Sequence, residues 1–174
     1  MREPVDAERI REFARALAGA ARGEVRIYLT GGATAVLRGW RTTTVDIDLK
    51  IVPDSDPLLR ALPELKERFR LNVELASPDD FIPELPGWQD RSPFITREGT
   101  ASFFHYDPYS QALAKLERGH AQDLQDVSRA LEEGLIERTR VLELFETIVP
   151  RLYRFPAIDP KTFRRSVEAV CREP

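Results

Sequence analysis

The sequence has little sulfur or imidazole chemistry, with one cysteine and two histidines in 174 residues. Cys171 cannot form an internal disulfide, which fits a reducing compartment. No base stands beside it in the sequence, so we expect an ordinary thiol rather than a nucleophile. His105 and His120 lack the paired spacing of metal ligands, and we expect structural roles for both.

Long apolar runs and a strong charge bias are also missing. No run approaches the roughly 20 residues that a membrane-spanning helix needs, and the charged start of the chain has no signal-peptide core. The net charge is −3, so binding to nucleic acid would need a local basic patch. A hydrophobic fraction of 42% and a charged fraction of 32% are typical of a globular protein. We expect a cytoplasmic protein with no membrane partner.

Helical and strand patterns alternate over the first half of the chain, which predicts an α/β (α+β) fold with a small mixed sheet flanked by helices. The second half is predicted to be mainly helical. We expect a core over residues 1–106 and a helical region over 107–174 packed on it, or one domain comprising both. The predicted elements are helix 6–21, strand 25–29, helix 33–40, strand 45–52, helix 58–69, strand 71–76, strands 94–96 and 100–106, and helices 108–118, 121–133, 138–152 and 160–171.

A glycine pair and two alternating aspartates form the most informative segment. Gly31 and Gly32 follow one apolar run, and Asp46 and Asp48 alternate along a second, over 45–52. Residues i and i+2 of a strand point to the same face, so both carboxylates are expected close together on one side of a sheet. Like charges that close resist ionising unless a cation lies between them. A divalent metal bound by oxygen ligands, usually Mg²⁺ with a substrate phosphate, is the ordinary reason for this arrangement.

A third acid occupies a later predicted strand. Glu74 shares one face of this strand with Asn72, while the alternate residues are apolar. If this strand lies beside the strand of Asp46 and Asp48, Glu74 completes a cluster of three carboxylates. Such a cluster is expected to hold one or two Mg²⁺ (or Mn²⁺) ions.

The glycine pair is the candidate phosphate-binding segment. Gly31 and Gly32 at a helix start supply backbone N–H groups and the positive end of a dipole, which suits a triphosphate. Thr30 or Thr34 could add a hydroxyl donor. Arg41 either contacts phosphate or shields the carboxylates, and the sequence leaves both alternatives open.

Together these residues resemble the DNA polymerase β-like nucleotidyltransferase superfamily. Its signature is Gly-Gly or Gly-Ser, a helical spacer, Asp-x-Asp and a third carboxylate, and here Gly31-Gly32 and Asp46-Ile47-Asp48 are separated by thirteen residues. The resemblance covers roughly residues 25 to 130 and is closest to the nucleotidyltransferases around the abortive-infection type IV toxins. These share a later helical motif, which reads here Lys115, Arg118, Asp123 and Asp126.

The resemblance implies a role for each matching residue. Asp46 and Asp48 would be the metal ligands, and Glu74 the carboxylate that assists the attacking hydroxyl. Lys115 would lie near the incoming triphosphate, and Asp123 matches the acidic residue of the same motif. The superfamily more commonly has aspartate at the position of Glu74, and the glutamate side chain is longer by one methylene. The C-terminal half is shorter than in the larger toxins, so their acceptor-binding surface is expected to be missing or reduced.

The sequence therefore predicts a metal-dependent nucleotidyltransferase that moves a nucleoside monophosphate from an NTP to a hydroxyl. The acceptor is expected to be RNA such as a tRNA 3′ end, a protein or a small molecule. Membership of the toxin group would imply a cognate antitoxin as a partner. Two alternatives are a non-catalytic nucleotide-binding or protein-interaction module with the same fold, and a phosphoesterase that uses the same acids.

Overall fold

The computed structural model describes residues 3–172, and within this range it contains seven α-helices and five strands. The helices are α1 Ala7–Gly19, α2 Gly31–Leu37, α3 Asp56–Phe69, α4 Pro108–Arg118, α5 Ala121–Glu132, α6 Arg138–Ile148 and α7 Pro160–Cys171. The strands are β1 Val25–Thr30, β2 Asp46–Val52, β3 Asn72–Glu74, β4 Phe94–Glu98 and β5 Ala101–His105. Short 3₁₀ segments cover Pro78–Asp80 and Val149–Arg154. The predicted α/β fold class is confirmed.

The chain divides into two compact units. The first takes in the chain up to Ser77 together with Ser92–His105, and the second takes in Pro78–Arg91 together with the chain from Tyr106 onward. The first unit carries the whole sheet and helices α1 to α3, and the second carries α4 to α7. The segment Pro78–Arg91 thus groups with the helices that follow it rather than with the sheet.

The sheet of the first unit has the order β3-β2-β1-β5-β4 and is mixed. β1 runs antiparallel to β2 and parallel to β5, β2 runs parallel to β3, and β4 runs antiparallel to β5. One face carries the apolar alternate residues, among them Ile27, Leu49 and Phe103, which are buried with side chains of the helices. The residues that alternate with them are polar or aromatic and lie on the other face, which includes the predicted acids.

Local sequence explains how α1 covers the apolar face. Asp6 caps the helix by accepting a hydrogen bond of 2.9 Å from the backbone N–H of Arg9. Ile10, Phe13 and Leu17 recur at helical spacing and are buried in the core. This one-sided pattern fixes which side of α1 faces the sheet.

In the first unit, α2 and β3 differ from the sequence prediction at positions that affect the predicted acids and glycines. α2 begins at Gly31 rather than at residue 33, so the glycine pair forms the first turn of the helix and not a turn before it. β3 is limited to Asn72–Glu74, and Leu75 just beyond it is 54% exposed. Leu71 and Val73 are the buried apolar residues of this segment.

In the second unit, α4 to α7 bury an apolar interior of their own. Its largest buried side chains include Phe145 and Phe163, whose rings meet edge to face at 4.9 Å. The predicted helix 138–152 ends at Ile148 and continues as a 3₁₀ segment, because Pro150 has no N–H to extend the α-helical pattern. Among residues 3–172, no helix is both long enough and apolar enough to span a membrane.

Candidate functional site

The three predicted acids lie on the same face of the sheet. In β2, Asp46 and Asp48 are half-buried while the residues between and after them are buried in the core. β2 and β3 run parallel in a register that pairs Asp46 with Asn72 and Asp48 with Glu74. Paired residues of neighbouring strands share a face, so Glu74 lies on the side of Asp46 and Asp48.

Asn72 links two of these acids directly. Its side-chain amide donates a hydrogen bond to Oδ1 of Asp46 and a second, of 3.0 Å, to Oε1 of Glu74. Asn72 itself is buried. A neutral donor placed between two carboxylates reduces their mutual repulsion without adding a charge. Asn72 therefore fixes the positions of Asp46 and Glu74.

The side chains do not form a three-ligand cage. Within the part of the chain that the structure describes, no group of three His, Cys, Asp or Glu side chains is placed to hold a metal ion by itself. The expected convergence of all three carboxylates is therefore absent, because Asn72 occupies the space between Asp46 and Glu74. The donor set still fits Mg²⁺ or Mn²⁺, since Mg²⁺ is usually held by one or two carboxylates together with substrate phosphates.

Gly31 and Gly32 are required by their contacts with β2 and the loop before it. Gly31 has φ +62°, and a Cβ there would lie 2.9 Å from Oδ2 of Asp48. A Cβ on Gly32 would lie 2.0 Å from Oγ1 of Thr44, whose hydroxyl donates to the carbonyl of Asp46. A side chain at Gly32 would also come within 2.9 Å of Cβ of Thr44 and push the loop before β2 away, whereas one at Gly31 would displace the Asp48 carboxylate and be strained by the positive φ. The glycine pair thus sets the spacing between the first turn of α2 and Asp48.

The other predicted nucleotide-binding residues near α2 have different surroundings. Thr30 is the N-cap residue of α2, makes no capping hydrogen bond with its side chain, and pairs with Asp48 across the strands. Thr34 donates a hydrogen bond of 3.1 Å to the carbonyl of Leu29 and lies 3.2 Å from Nδ1 of His105, so its hydroxyl stabilises the packing of α2 on the sheet. Arg41 is half-buried in the loop between α2 and β2, and its contact with phosphate stays a prediction.

His105, which contacts Thr34, is a titratable residue at the place where α2 packs on the sheet. Burial lowers the pKa of His105 to about 4, with the positive charge of Arg38 as the second cause. The ring is therefore neutral near pH 7. Since the Thr34 hydroxyl donates to Leu29, the Nδ1–H of His105 is the donor to Thr34 Oγ1.

We expect His105 to make the protein less stable in mild acid. The unfolded chain takes up a proton near the ordinary pKa of 6.5, while the folded chain resists protonation down to about 4. The free energy of unfolding should therefore be unaffected above 6.5 and fall below it, by about 1.4 kcal/mol per pH unit from this group. Urea unfolding of wild type and His105→Asn at about pH 7 and about pH 5 measures the effect. An equal loss of stability in the two proteins would contradict it.

The later helical motif lies in the second unit, where its charges pair with each other. Lys115 Nζ lies 2.6 Å from Oδ2 of Asp126, and both side chains are largely buried. Arg118 donates two hydrogen bonds to Asp123, of 2.8 Å from Nε and 2.5 Å from Nη2. Asp123 also accepts from the backbone N–H of His120 at the start of α5.

The hydrogen bonds of Asp123 therefore connect the end of α4 to the start of α5. Burial by itself would raise its pKa, but the hydrogen bonds and charge of Arg118, with smaller effects from Lys115 and the His120 N–H, outweigh it and hold the pKa below its usual range. The catalytic role of Asp123 and the triphosphate contact of Lys115 stay predictions.

Sequence reasoning did not assign a role to two residues of the site. Asn72 was placed on the face of Glu74, but nothing in the sequence indicates that its amide bridges two acids. Thr44 belongs to no sequence motif, yet it packs against Gly32 and pairs with Val5 through backbone hydrogen bonds of 2.7 and 2.9 Å. Both roles depend on strand register, which local sequence does not specify.

Comparison with known families gives one match. Residues 8–154 match the model of a family described as "Nucleotidyltransferase of unknown function (DUF6036)", a match that includes every predicted site residue. No curated protein and no solved structure gives a significant match. The closer likeness to type IV toxins stays a prediction. The matched segment covers most of the chain, and we conclude that the protein belongs to this family of nucleotidyltransferases.

Proposed function

We propose that the protein transfers a nucleoside monophosphate from an NTP to a hydroxyl acceptor, with Mg²⁺ or Mn²⁺. The observation that supports this most directly is the placement of Asp46, Asp48 and Glu74 on one sheet face, with Gly31 packed against Asp48. A family described as nucleotidyltransferases agrees with it. RNA with a free 3′ hydroxyl is the acceptor that we favour.

In the proposed reaction, the acceptor oxygen attacks the α-phosphorus of the NTP. A new oxygen–phosphorus bond forms, the bond to the oxygen bridging the α- and β-phosphates breaks, and pyrophosphate leaves. Asp46 and Asp48 would hold the divalent ion, which when bound neutralises phosphate charge. Glu74 would accept the proton of the attacking hydroxyl.

The remaining residues of the site would orient the reactants. Asn72 fixes Asp46 and Glu74 relative to each other, so that the ion-binding carboxylate and the base keep a constant separation. Because Gly31 has no side chain, the first turn of α2 lies directly against Asp48, and its backbone would meet the phosphates beside the ion-binding carboxylate. Positioning of this kind accounts for much of the rate in phosphoryl transfer.

The test is to incubate the protein with each α-³²P-labelled NTP, Mg²⁺, total RNA and total protein, and to ask which fraction becomes labelled. We expect labelled RNA and released pyrophosphate with wild type, and neither with Asp46→Ala. Release of orthophosphate alone would indicate a phosphoesterase instead. NTP binding without any transfer would indicate a non-catalytic module. If wild type and Asp46→Ala behave alike in binding and transfer, the proposal is wrong.

A further inference from the structure

The sheet face that carries the acids also carries a row of aromatic side chains toward its other edge. Tyr28 on β1 is paired in register with Phe104 on β5, and their rings stack at 5.1 Å with 22° between the planes. Phe104 is paired with Phe94 on β4, and these rings meet edge to face at 5.7 Å. The row ends at Phe94, which is 61% exposed on the edge strand. No part of the proposed reaction uses these rings.

A β-bulge turns Phe94 to this face. The pairing of β4 with β5 shifts between Phe94 and Thr96, so Ile95 is the extra residue and packs toward the core. In a regular strand Phe94 and Arg97, three residues apart, would point to opposite faces. The bulge brings both to one face, because Phe94 pairs with Phe104 and Arg97 pairs with Ser102. Bulges commonly re-aim a side chain in this way near functional sites.

Positive charge lies one row further along the same face. Arg26 on β1 is exposed and is paired in register with Ser102, which is paired in turn with Arg97. Arg97 also contacts Glu24 at 2.6 Å, with both side chains at least half exposed. An exposed ion pair of this kind is weak, and a phosphate can compete for the arginine. The exposed ring and the two arginines are thus arranged as a stacking surface beside a phosphate-binding strip.

The distance to the acids fits a polymer better than a small molecule. Phe94 lies on β4, three strands away from β2, and it is shifted along the strand direction by two residues relative to Asp48. The two positions are therefore about 16 Å apart. This exceeds the reach of one nucleotide and corresponds to a few nucleotides of extended strand. A base at Phe94 would therefore belong to the acceptor, upstream of the hydroxyl that reacts.

From these observations we infer that the face formed by Arg26, Phe94, Arg97 and Phe104 binds single-stranded RNA, with a base stacked on Phe94 and phosphates on the arginines. Single-stranded sites in proteins combine a basic track with aromatic rings because every base has a π-face. The identification of this RNA as the acceptor rests on the proposed function, whereas the binding surface itself does not.

The test measures binding of a fluorescent single-stranded RNA of about ten nucleotides by anisotropy, without NTP or metal. Wild type should bind this RNA although NTP and metal are both absent, because the surface does not include the acids. Phe94→Ala should weaken binding at least about fivefold, the effect of losing one stacked base, and Phe94→Trp should restore it. Phe81→Ala is the matched control, since Phe81 is 55% exposed in the second unit, and it should bind as wild type does.

A salt titration separates the two parts of the surface. Arg97→Ala should reduce the slope of log Kd against log salt concentration by about 1, whereas Phe94→Ala should leave the slope unchanged. The inference is overturned if wild type does not bind the RNA, if Phe94→Ala binds like wild type, or if duplex RNA binds as tightly. RNA binding that depends on Phe94 in a protein with no transferase activity would uphold the surface and reject the proposed function.

Discussion

Asp48→Asn is expected to lower the transfer rate at saturating NTP by at least about 100-fold, a loss of about 3 kcal/mol in transition-state stabilisation. The substitution keeps the shape of the side chain and removes one negative charge from the proposed ion site. An amide oxygen is a much weaker ligand for Mg²⁺ than a carboxylate. Transfer should be measured in a single-turnover assay at several concentrations of Mg²⁺ and Mn²⁺.

The thermal midpoint of Asp48→Asn should be measured alongside the rate, because it separates lost chemistry from lost folding. Asp54→Asn is the matched control, because Asp54 is exposed beyond the other end of β2 and should leave the rate unchanged. A rate for Asp48→Asn within threefold of wild type would rule out Asp48 as a metal ligand.

Asp107→Ala is expected to cost about 3 to 5 kcal/mol of unfolding free energy in the second unit, the range for breaking a buried ion pair. The side chain of Asp107 is fully buried and accepts from Nε and Nη2 of Arg91 at 3.2 and 2.7 Å. It also caps α4 through Tyr109 N–H and both the N–H and the hydroxyl of Ser110. Alanine leaves the Arg91 charge without its carboxylate and the helix without its cap.

Asp159→Ala is a matched control for this loss. Both aspartates precede a proline and cap the first turn of a helix, but Asp159 is exposed and accepts from Lys161 N–H and Thr162 at the start of α7. Its replacement should have a much smaller effect. Urea unfolding followed by the fluorescence of Trp88, which is buried against Tyr106 in the same unit, reports the difference. Equal midpoints for the two variants would show that burial and Arg91 add nothing to the cap.

Much of the fold was predictable because its signals are local. Alternation along 45–52 predicted β2 and the common face of Asp46 and Asp48, and the structure confirms both. Asp6 and the spacing of Ile10, Phe13 and Leu17 predicted α1 within two residues at each end. These features depend on periodicity and capping, which a short window of sequence contains.

The site was predicted less completely, because its contacts connect distant parts of the chain. The sequence suggested a cage of three carboxylates, whereas Asn72 lies between two of them. Phosphate binding by the glycine pair stays a prediction, whereas its close packing against Asp48 and Thr44 was not predicted. Neither outcome follows from residue type, since each depends on which strands are neighbours and in what register.

By itself the sequence determined the α/β class, the strand that carries the aspartates and the motif that connects the chain to nucleotidyltransferases. Only the tertiary structure decided that Glu74 shares their face and that a bulge at Ile95 turns Phe94 and Arg97 to it. The physical reason is that side-chain direction along one strand is fixed by its period of two residues. The face shared between strands is fixed by register, and one extra residue reverses it.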